Sequence, residues 1–265
     1  MLARLTAVTL TAVCLAASGC TAATTRAPAP TAPGVTALRG EVLATVPHDP
    51  AAFTQGLELV DGVLYEGTGL DGKSEMRTVD PATGAVTRHV ALPADFFGEG
   101  VTVLDDRIWQ ITWQNGVAIE RDRTTLAERR RVTYPGEGWG LCHADGRLVM
   151  SDGSDKLTFR DPDSFAATGE VHVREGGNPV TELNELECAG GAVYANVWQT
   201  DRIVRIDPTT GAVTASIDLS GLLRPDEREH TDVLNGIAAI PGTDEFLVTG
   251  KLWPTMFRIR FVPAA

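Results

Sequence analysis

The chain repeats one short phrase five times, and this periodicity limits it to few folds. Gln55-Gly56-Leu57-Glu58-Leu59-Val60-Asp61-Gly62-Val63-Leu64-Tyr65 aligns with Glu99-Gly100-Val101-Thr102-Val103-Leu104-Asp105-Asp106-Arg107-Ile108-Trp109. A third copy runs from Trp139 to Val149, a fourth from Asn184 to Tyr194, and a fifth opens with Asn235-Gly236-Ile237. Starts at 55, 99, 139, 184 and 235 give steps of 44, 40, 45 and 51 residues. Each copy reads as strand, Asp-Gly-like turn, strand, the pattern of a hairpin. A second hairpin follows, its turn recurring as Asp80-Pro81-Ala82-Thr83-Gly84, Asp122-Arg123-Thr124-Thr125, Asp161-Pro162-Asp163-Ser164 and Asp207-Pro208-Thr209-Thr210-Gly211. Four strands in about 40–50 residues is the arithmetic of a propeller blade. The expectation is an all-β domain over residues 37–265, a five-bladed β-propeller. The last copy, ending at Met256–Val262, offers only a third strand. Leu38 to Val46 is expected to complete it, tying the chain ends together and covering an exposed edge.

In such a ring the first strand of each blade lines the central channel. The residues that open the copies are Gln55, Glu99, Trp139, Asn184 and Asn235, none of them aliphatic. Two positions on stand Leu57, Val101, Leu141, Leu186 and Ile237, which fit packing between blades. The position between is glycine in four copies and Glu185 in the other. Tyr65, Trp109 and Tyr194 share one column and are assigned to the core. Trp113, Trp139 and Trp198 stand where other copies have small or polar residues, and together they fit an aromatic pocket on one rim. Glu185 and Asp152 read either as charges near the mouth, drawing cationic amines, or as solvated turn acids.

Outside the repeats, Met1 to Cys20 reads as an export leader: Arg4, an apolar stretch from Leu5 to Ala17, then Ser18-Gly19-Cys20. The small residues before Cys20 fit a bacterial lipoprotein signal, with Cys20 acylated and an Ala/Thr/Pro-rich tether over residues 21–36. Alternatively, the leader is an ordinary cleaved one. The protein is expected outside the cytoplasm, on the cell envelope through a lipid anchor or secreted, and as a monomer. A formal charge of −12 argues against nucleic acid as a partner. Cys142 and Cys188 fall on adjacent, opposite-facing positions of different strands, so two buried thiols are expected rather than a bridge. Neither cysteine, nor His48, His89, His143, His172 or His230, shows metal-ligand spacing.

Six segments, in order, carry a resemblance to a known family. Phe53-Thr54-Gln55-Gly56-Leu57, Phe97-Gly98-Glu99-Gly100, Glu137-Gly138-Trp139-Gly140-Leu141, Leu183-Asn184-Glu185-Leu186-Glu187, Asp232-Val233-Leu234-Asn235-Gly236-Ile237 and Gly250-Lys251-Leu252-Trp253 resemble the plant- and bacterial-type glutaminyl cyclases. The resemblance spans about Val42 to Phe261. It implies a five-bladed propeller that turns the N-terminal glutamine of peptides into pyroglutamate, with no cofactor and no catalytic zinc. It also implies an active-site set of Gln55, Glu99, Trp113, Trp139, Asn184, Trp198 and Lys251, with Phe53 beside them. Cys142 stands where the family pattern has threonine, and Asp71 where it has an aromatic residue.

Cyclisation joins a substrate's α-amine to its own γ-carboxamide and expels ammonia. Holding the folded-back conformer lowers much of the barrier, since both reacting groups sit on one residue. The remaining task is to carry a proton from the attacking nitrogen to the departing one, and Glu99 is the expected shuttle. Gln55 and Asn184 are suited to fixing the substrate's amide and amine. Lys251 either stabilises oxyanion charge or pairs with Glu99. Two rivals stay open: a non-catalytic propeller binding peptides or envelope partners at the rim, and a hydrolase pairing Glu99 with Glu185 or Asp152.

Overall fold

The recurrent aspartates build the turns that fold the chain back on itself. Asp80 Oδ1 accepts the backbone N–H groups of Ala82 at 2.8 Å and Thr83 at 3.2 Å. Asp122, Asp161 and Asp207 do the same two and three residues on. Such Asx turns satisfy backbone donors at the tip and set where the next strand begins.

A computed structural model describes residues 34–264; the proposed leader, Cys20 and nearly all of the tether lie outside the described residues. The chain starts with β1 (Thr36–Pro47), then forms a sheet from β2 (Thr54–Val60), β3 (Val63–Thr68), β4 (Glu75–Val79) and β5 (Val86–Ala91). A second sheet takes β6 (Gly98–Leu104), β7 (Arg107–Thr112), β8 (Val117–Asp122) and β9 (Glu128–Thr133). The third has β10 (Leu141–Ala144), β11 (Arg147–Ser151), β12 (Lys156–Arg160) and β13 (Ala167–His172). A two-stranded excursion, β14 (Arg174–Glu175) with β15 (Asn178–Pro179), precedes β16 (Leu183–Ala189), β17 (Ala192–Val197), β18 (Arg202–Ile206) and β19 (Val213–Asp218). One helical turn at Pro225–Arg228 leads to β20 (Leu234–Ala239), β21 (Glu245–Gly250) and β22 (Thr255–Pro263).

The N-terminal strand closes the fold as expected, and does more. β1 pairs antiparallel with β22, from Leu38 opposite Pro263 to Pro47 opposite Thr255. It also pairs parallel with β19, from Thr36 opposite Ala215 to Arg39 opposite Asp218. One strand therefore seals two edges, and the last two groups of strands merge into an eight-stranded sheet. The innermost strands pack side by side in a circuit: β2 on β6, β6 on β10, β10 on β16, β16 on β20, and β20 back on β2. The result is an all-β, β-propeller-like fold.

The core lies between sheets. Leu57, Val101, Leu141, Leu186 and Ile237 are all buried, as the alternation of the inner strands predicts. Tyr65 and Trp109 are buried too, and Tyr194 packs on Phe246 and Phe261. At the junction of the third and fourth groups, Cys142 and Val149 meet Leu186, Val193 and Ala195.

That junction corrects the cysteine reading. Cys142 on β10 and Cys188 on β16 form a disulfide, with their Cα atoms 5.5 Å apart. Alternation along a single strand places them on opposite faces. The two strands belong to different sheets of the ring, however, and face each other across the junction. The bridge closes a sequence separation of 46 residues, a chain-entropy contribution of about 2–4 kcal/mol. Cys188→Ser is expected to lower the unfolding free energy by about that amount. A denaturant titration with the wild-type midpoint would contradict it.

Candidate active site

Glycines and β-bulges together aim the polar column inward. Strand pairing loses register at Gln55 between Thr54 and Gly56, and at Glu99 between Gly98 and Val101. The same happens at Asn184 between Leu183 and Leu186, and at Asn235 between Leu234 and Ile237. A bulge inserts an unpaired residue and turns its side chain out of the ladder. The neighbouring glycine lets inner strands approach: a Cβ on Gly100 would lie 2.5 Å from the backbone nitrogen of Leu141. Gly100 N–H donates instead to the Trp139 carbonyl at 2.8 Å, docking the second sheet on the third beside Glu99.

The column residues then form a relay across three inner strands. Asn235 Nδ2 donates to Gln55 Oε1 at 3.2 Å, and Gln55 Nε2 donates to Glu99 Oε1 at 3.0 Å. All three side chains are buried. Glu99 Oε2, Asn184 Oδ1 and Asn235 Oδ1 are buried acceptors with no hydrogen-bond partner. Such orphans are costly and call for a donor. Burial drives the proton affinity of Glu99 well above the usual carboxylate range; the charge of Lys251 opposes this and that of Glu137 adds to it. Lys251 is itself buried, which lowers its proton affinity against the pull of Glu99 and Asp232. Its ammonium stands over the Phe53 ring at 4.9 Å from the centroid. It makes no direct ion pair with Glu99, so that alternative is corrected: the two interact through space.

Aromatic side chains lie beside this polar group in two runs, the first of them touching it where Phe53 meets Lys251. Phe53 meets Phe97 edge-on at 6.2 Å between centroids, and Phe97 meets Trp113 at 5.6 Å. Trp139 meets Trp198 edge-on, also at 5.6 Å. Trp113 is exposed, while Phe53, Trp139 and Trp198 are half-buried. The three tryptophans grouped by sequence lie together: Trp113 and Trp139 share a carboxylate partner, and Trp139 contacts Trp198. Phe97 was absent from the expected set, although it adjoins Gly98-Glu99 in one of the motifs.

One acid is not where either sequence reading put it, and a second takes the plainer of its two readings. Glu185 is no mouth charge: its carboxyl is buried and accepts the backbone N–H groups of Leu57 at 3.2 Å and Ile237 at 2.8 Å. It occupies the position that other copies give to glycine, and its side chain reaches across to β2 and β20 instead of toward the mouth. Burial raises its proton affinity, as it does for Glu187 and for Glu58, which is pushed up to about 7. Asp152 is a turn acid: its Oδ1 accepts Ser154 N–H at 3.1 Å, and Lys156 lies 3.4 Å from its other oxygen. With Glu185 and Asp152 so engaged, neither pairs with Glu99. Among the described residues no cluster of three or more His, Cys, Asp or Glu side chains is placed to hold a metal ion.

Fold and site together define the class: an all-β, propeller-like protein in which a buried carboxyl of raised proton affinity is held among neutral amides, with aromatic side chains grouped beside it. The glutamine cyclotransferase family profile matches residues 11–261, and the chain belongs to that family. It is 41% identical over 231 residues to the glutaminyl-peptide cyclotransferase of Arabidopsis thaliana, covering 85% of this chain and 72% of that protein. It also superposes on the crystal structure of Myxococcus xanthus glutaminyl cyclase with a TM-score of 0.79 and 36% identity, covering 87% of this chain and all of that one.

Proposed function

We propose that this protein is a glutaminyl-peptide cyclotransferase that converts N-terminal glutamine of peptides to pyroglutamate on a five-bladed propeller. Family membership supports the reaction. The observation that carries the site assignment is Glu99, buried, held through one oxygen by Gln55, and with its other oxygen unpartnered. A carboxyl of raised proton affinity works in both directions. Its ionised form takes the proton from the attacking neutral α-nitrogen as the bond to the γ-carbon forms. It then delivers that proton to the carboxamide nitrogen as the C–N bond breaks and ammonia leaves.

The other residues act on binding and charge. Asn184 Oδ1 and Asn235 Oδ1 offer acceptors to the N–H groups of the substrate. Lys251, kept from pairing with Glu99, is free to face the oxyanion of the tetrahedral state. Trp113, Trp139, Trp198 and Phe53 hold the flat amide and exclude water, which would otherwise hydrolyse it. The blade count of five rests on the four-stranded groups begun by β2, β6, β10, β16 and β20, the last completed by β1. Export and acylation of Cys20 belong to the same proposal, argued from the leader sequence, and so does a monomeric state.

The test is mass spectrometry of a peptide beginning with glutamine, incubated with the protein. Loss of ammonia from the N-terminal residue alone is expected. A peptide left intact would reject the catalytic reading in favour of a binding protein, and loss from internal glutamines would reject this reaction class.

A further inference from the structure

The two aromatic runs at the mouth meet at a residue with no role so far. Glu137 Oε2 accepts the indole N–H of Trp113 at 2.8 Å and that of Trp139 at 3.0 Å. Its other oxygen, Oε1, accepts the side-chain amide of Gln114 at 3.0 Å. One carboxyl therefore joins the Phe53–Phe97–Trp113 run to the Trp139–Trp198 run. Backbone bonds stitch the same loops: Trp113 N–H to the Phe97 carbonyl at 3.0 Å, and Gly138 N–H to the Trp113 carbonyl at 3.0 Å.

A surface glutamate ordinarily pairs with a cation or faces water. Among the described residues Glu137 has no Lys or Arg partner within ion-pair distance; its three partners are neutral N–H donors. Burial works against its charge, yet the bonds from Trp139, Gln114 and Trp113 prevail and hold its carboxyl below the usual range. The mouth thus carries a fixed, ionised, uncompensated carboxylate. An N-terminal amine with a pKa of about 7.7–8.0 arrives largely as a cation.

We infer that Glu137 is a positioning and specificity residue for peptide cyclisation, locking the Trp113 and Trp139 indoles into one wall and drawing the cationic amino terminus to it. This rests on the cyclotransferase reading above. Glu137 acts through the two indoles and through its field, so its loss bears first on substrate capture; its charge also adds to the proton affinity of Glu99, but burial is the main cause of that shift and remains in the variants.

Steady-state cyclisation of a Gln-initiated peptide by Glu137→Ala, Glu137→Gln, Trp139→Phe and the Glu137→Ala/Trp139→Phe double variant tests it. Charged-acceptor bonds of this kind are strong enough for KM to rise about ten-fold or more in Glu137→Ala, with kcat within about three-fold. Glu137→Gln keeps a carbonyl acceptor for the indoles and loses the charge, so its KM is expected between the two. The KM effects of Glu137→Ala and Trp139→Phe should be non-additive, since they remove one bond from either end. A purely structural acid would give additive effects and no intermediate glutamine variant. Near-UV circular dichroism of Glu137→Ala supplies a readout free of turnover, with the tryptophan bands expected to change. An active wild type with unchanged KM in Glu137→Ala, additive effects, or unchanged tryptophan bands would overturn this inference alone. A wild type that releases no ammonia would overturn it together with the cyclotransferase reading.

Discussion

Glu99→Gln is expected to lose about 10²–10⁴-fold in kcat, the range that a positioned proton-transfer group supplies. The amide is isosteric and keeps an acceptor for Gln55 Nε2, so the ring should stay assembled. It cannot carry a proton from the attacking nitrogen to the leaving one. Unfolding gives a second readout with a definite sign. The folded-state proton affinity of Glu99 lies above its unfolded value. Its stabilisation is therefore complete below the ordinary carboxyl pKa and is lost as pH rises through the raised one. The Glu99→Gln variant escapes that loss. Thermal unfolding should match wild type in mild acid and exceed it in alkali. Wild-type turnover would remove Glu99 from the chemistry, and parallel stability profiles would remove its raised proton affinity.

Glu66→Gln is expected to cost about 3–5 kcal/mol, the effect of breaking a buried ion pair from one side. Glu66 is fully buried. It receives Thr54 Oγ1–H at 2.7 Å and His48 Nε2–H at 3.0 Å on one oxygen, and Arg77 Nε–H at 2.8 Å on the other. Burial works to raise its pKa, but His48, Arg77 and Thr54 prevail and bring it down to about 2. For His48 burial works downward, and the partnership with Glu66 raises it on balance. The Glu66 contribution is present above the ordinary carboxyl range and fades as pH falls toward about 2. The His48 contribution is present below its unfolded value and fades as pH rises through the raised one. The variant should unfold at lower denaturant than wild type, by the widest margin in mild acid where both contributions are intact. A midpoint within experimental error of wild type there would refute the role of this network.

That network also reaches the site. His48 N–H donates to the Pro254 carbonyl at 2.9 Å and its Nδ1–H to the Trp253 carbonyl at 2.7 Å. Leu252 N–H donates to the Ala52 carbonyl at 2.7 Å. The segment carrying Phe53 is thereby fastened to the one carrying Lys251, which explains how Lys251 comes to lie over the Phe53 ring. His48 itself was read only as a histidine without metal spacing. Its buried ion-pair role became visible once β3, β4 and the segment before β2 were brought together.

Much of the site was legible because repeats superpose chemistry. Gln55, Glu99, Asn184 and Asn235 could be grouped as one column since each opens the same phrase, and all four are buried inner-strand residues. Glu185 was misplaced by the same reasoning. Alignment says which residue replaces glycine, but not which way a longer side chain turns at a bulge. Glu137 and Trp139 lie two residues apart, and nothing in that spacing reveals that a shared oxygen binds Trp113 as well.

The amino-acid sequence by itself determined the all-β class, the turn positions, the apolar inner column and the use of the N-terminal strand to complete the last sheet. These follow from period-two alternation, Asx turn chemistry and the length of a repeat, all properties of neighbouring residues. Only the tertiary structure decided the Cys142–Cys188 bridge, the parallel pairing of β1 with β19, the inward aim of Glu99 and the indole–carboxylate junction at Glu137. Each depends on the distance and angle between different sheets, which ring closure sets and which no local stretch of chain encodes.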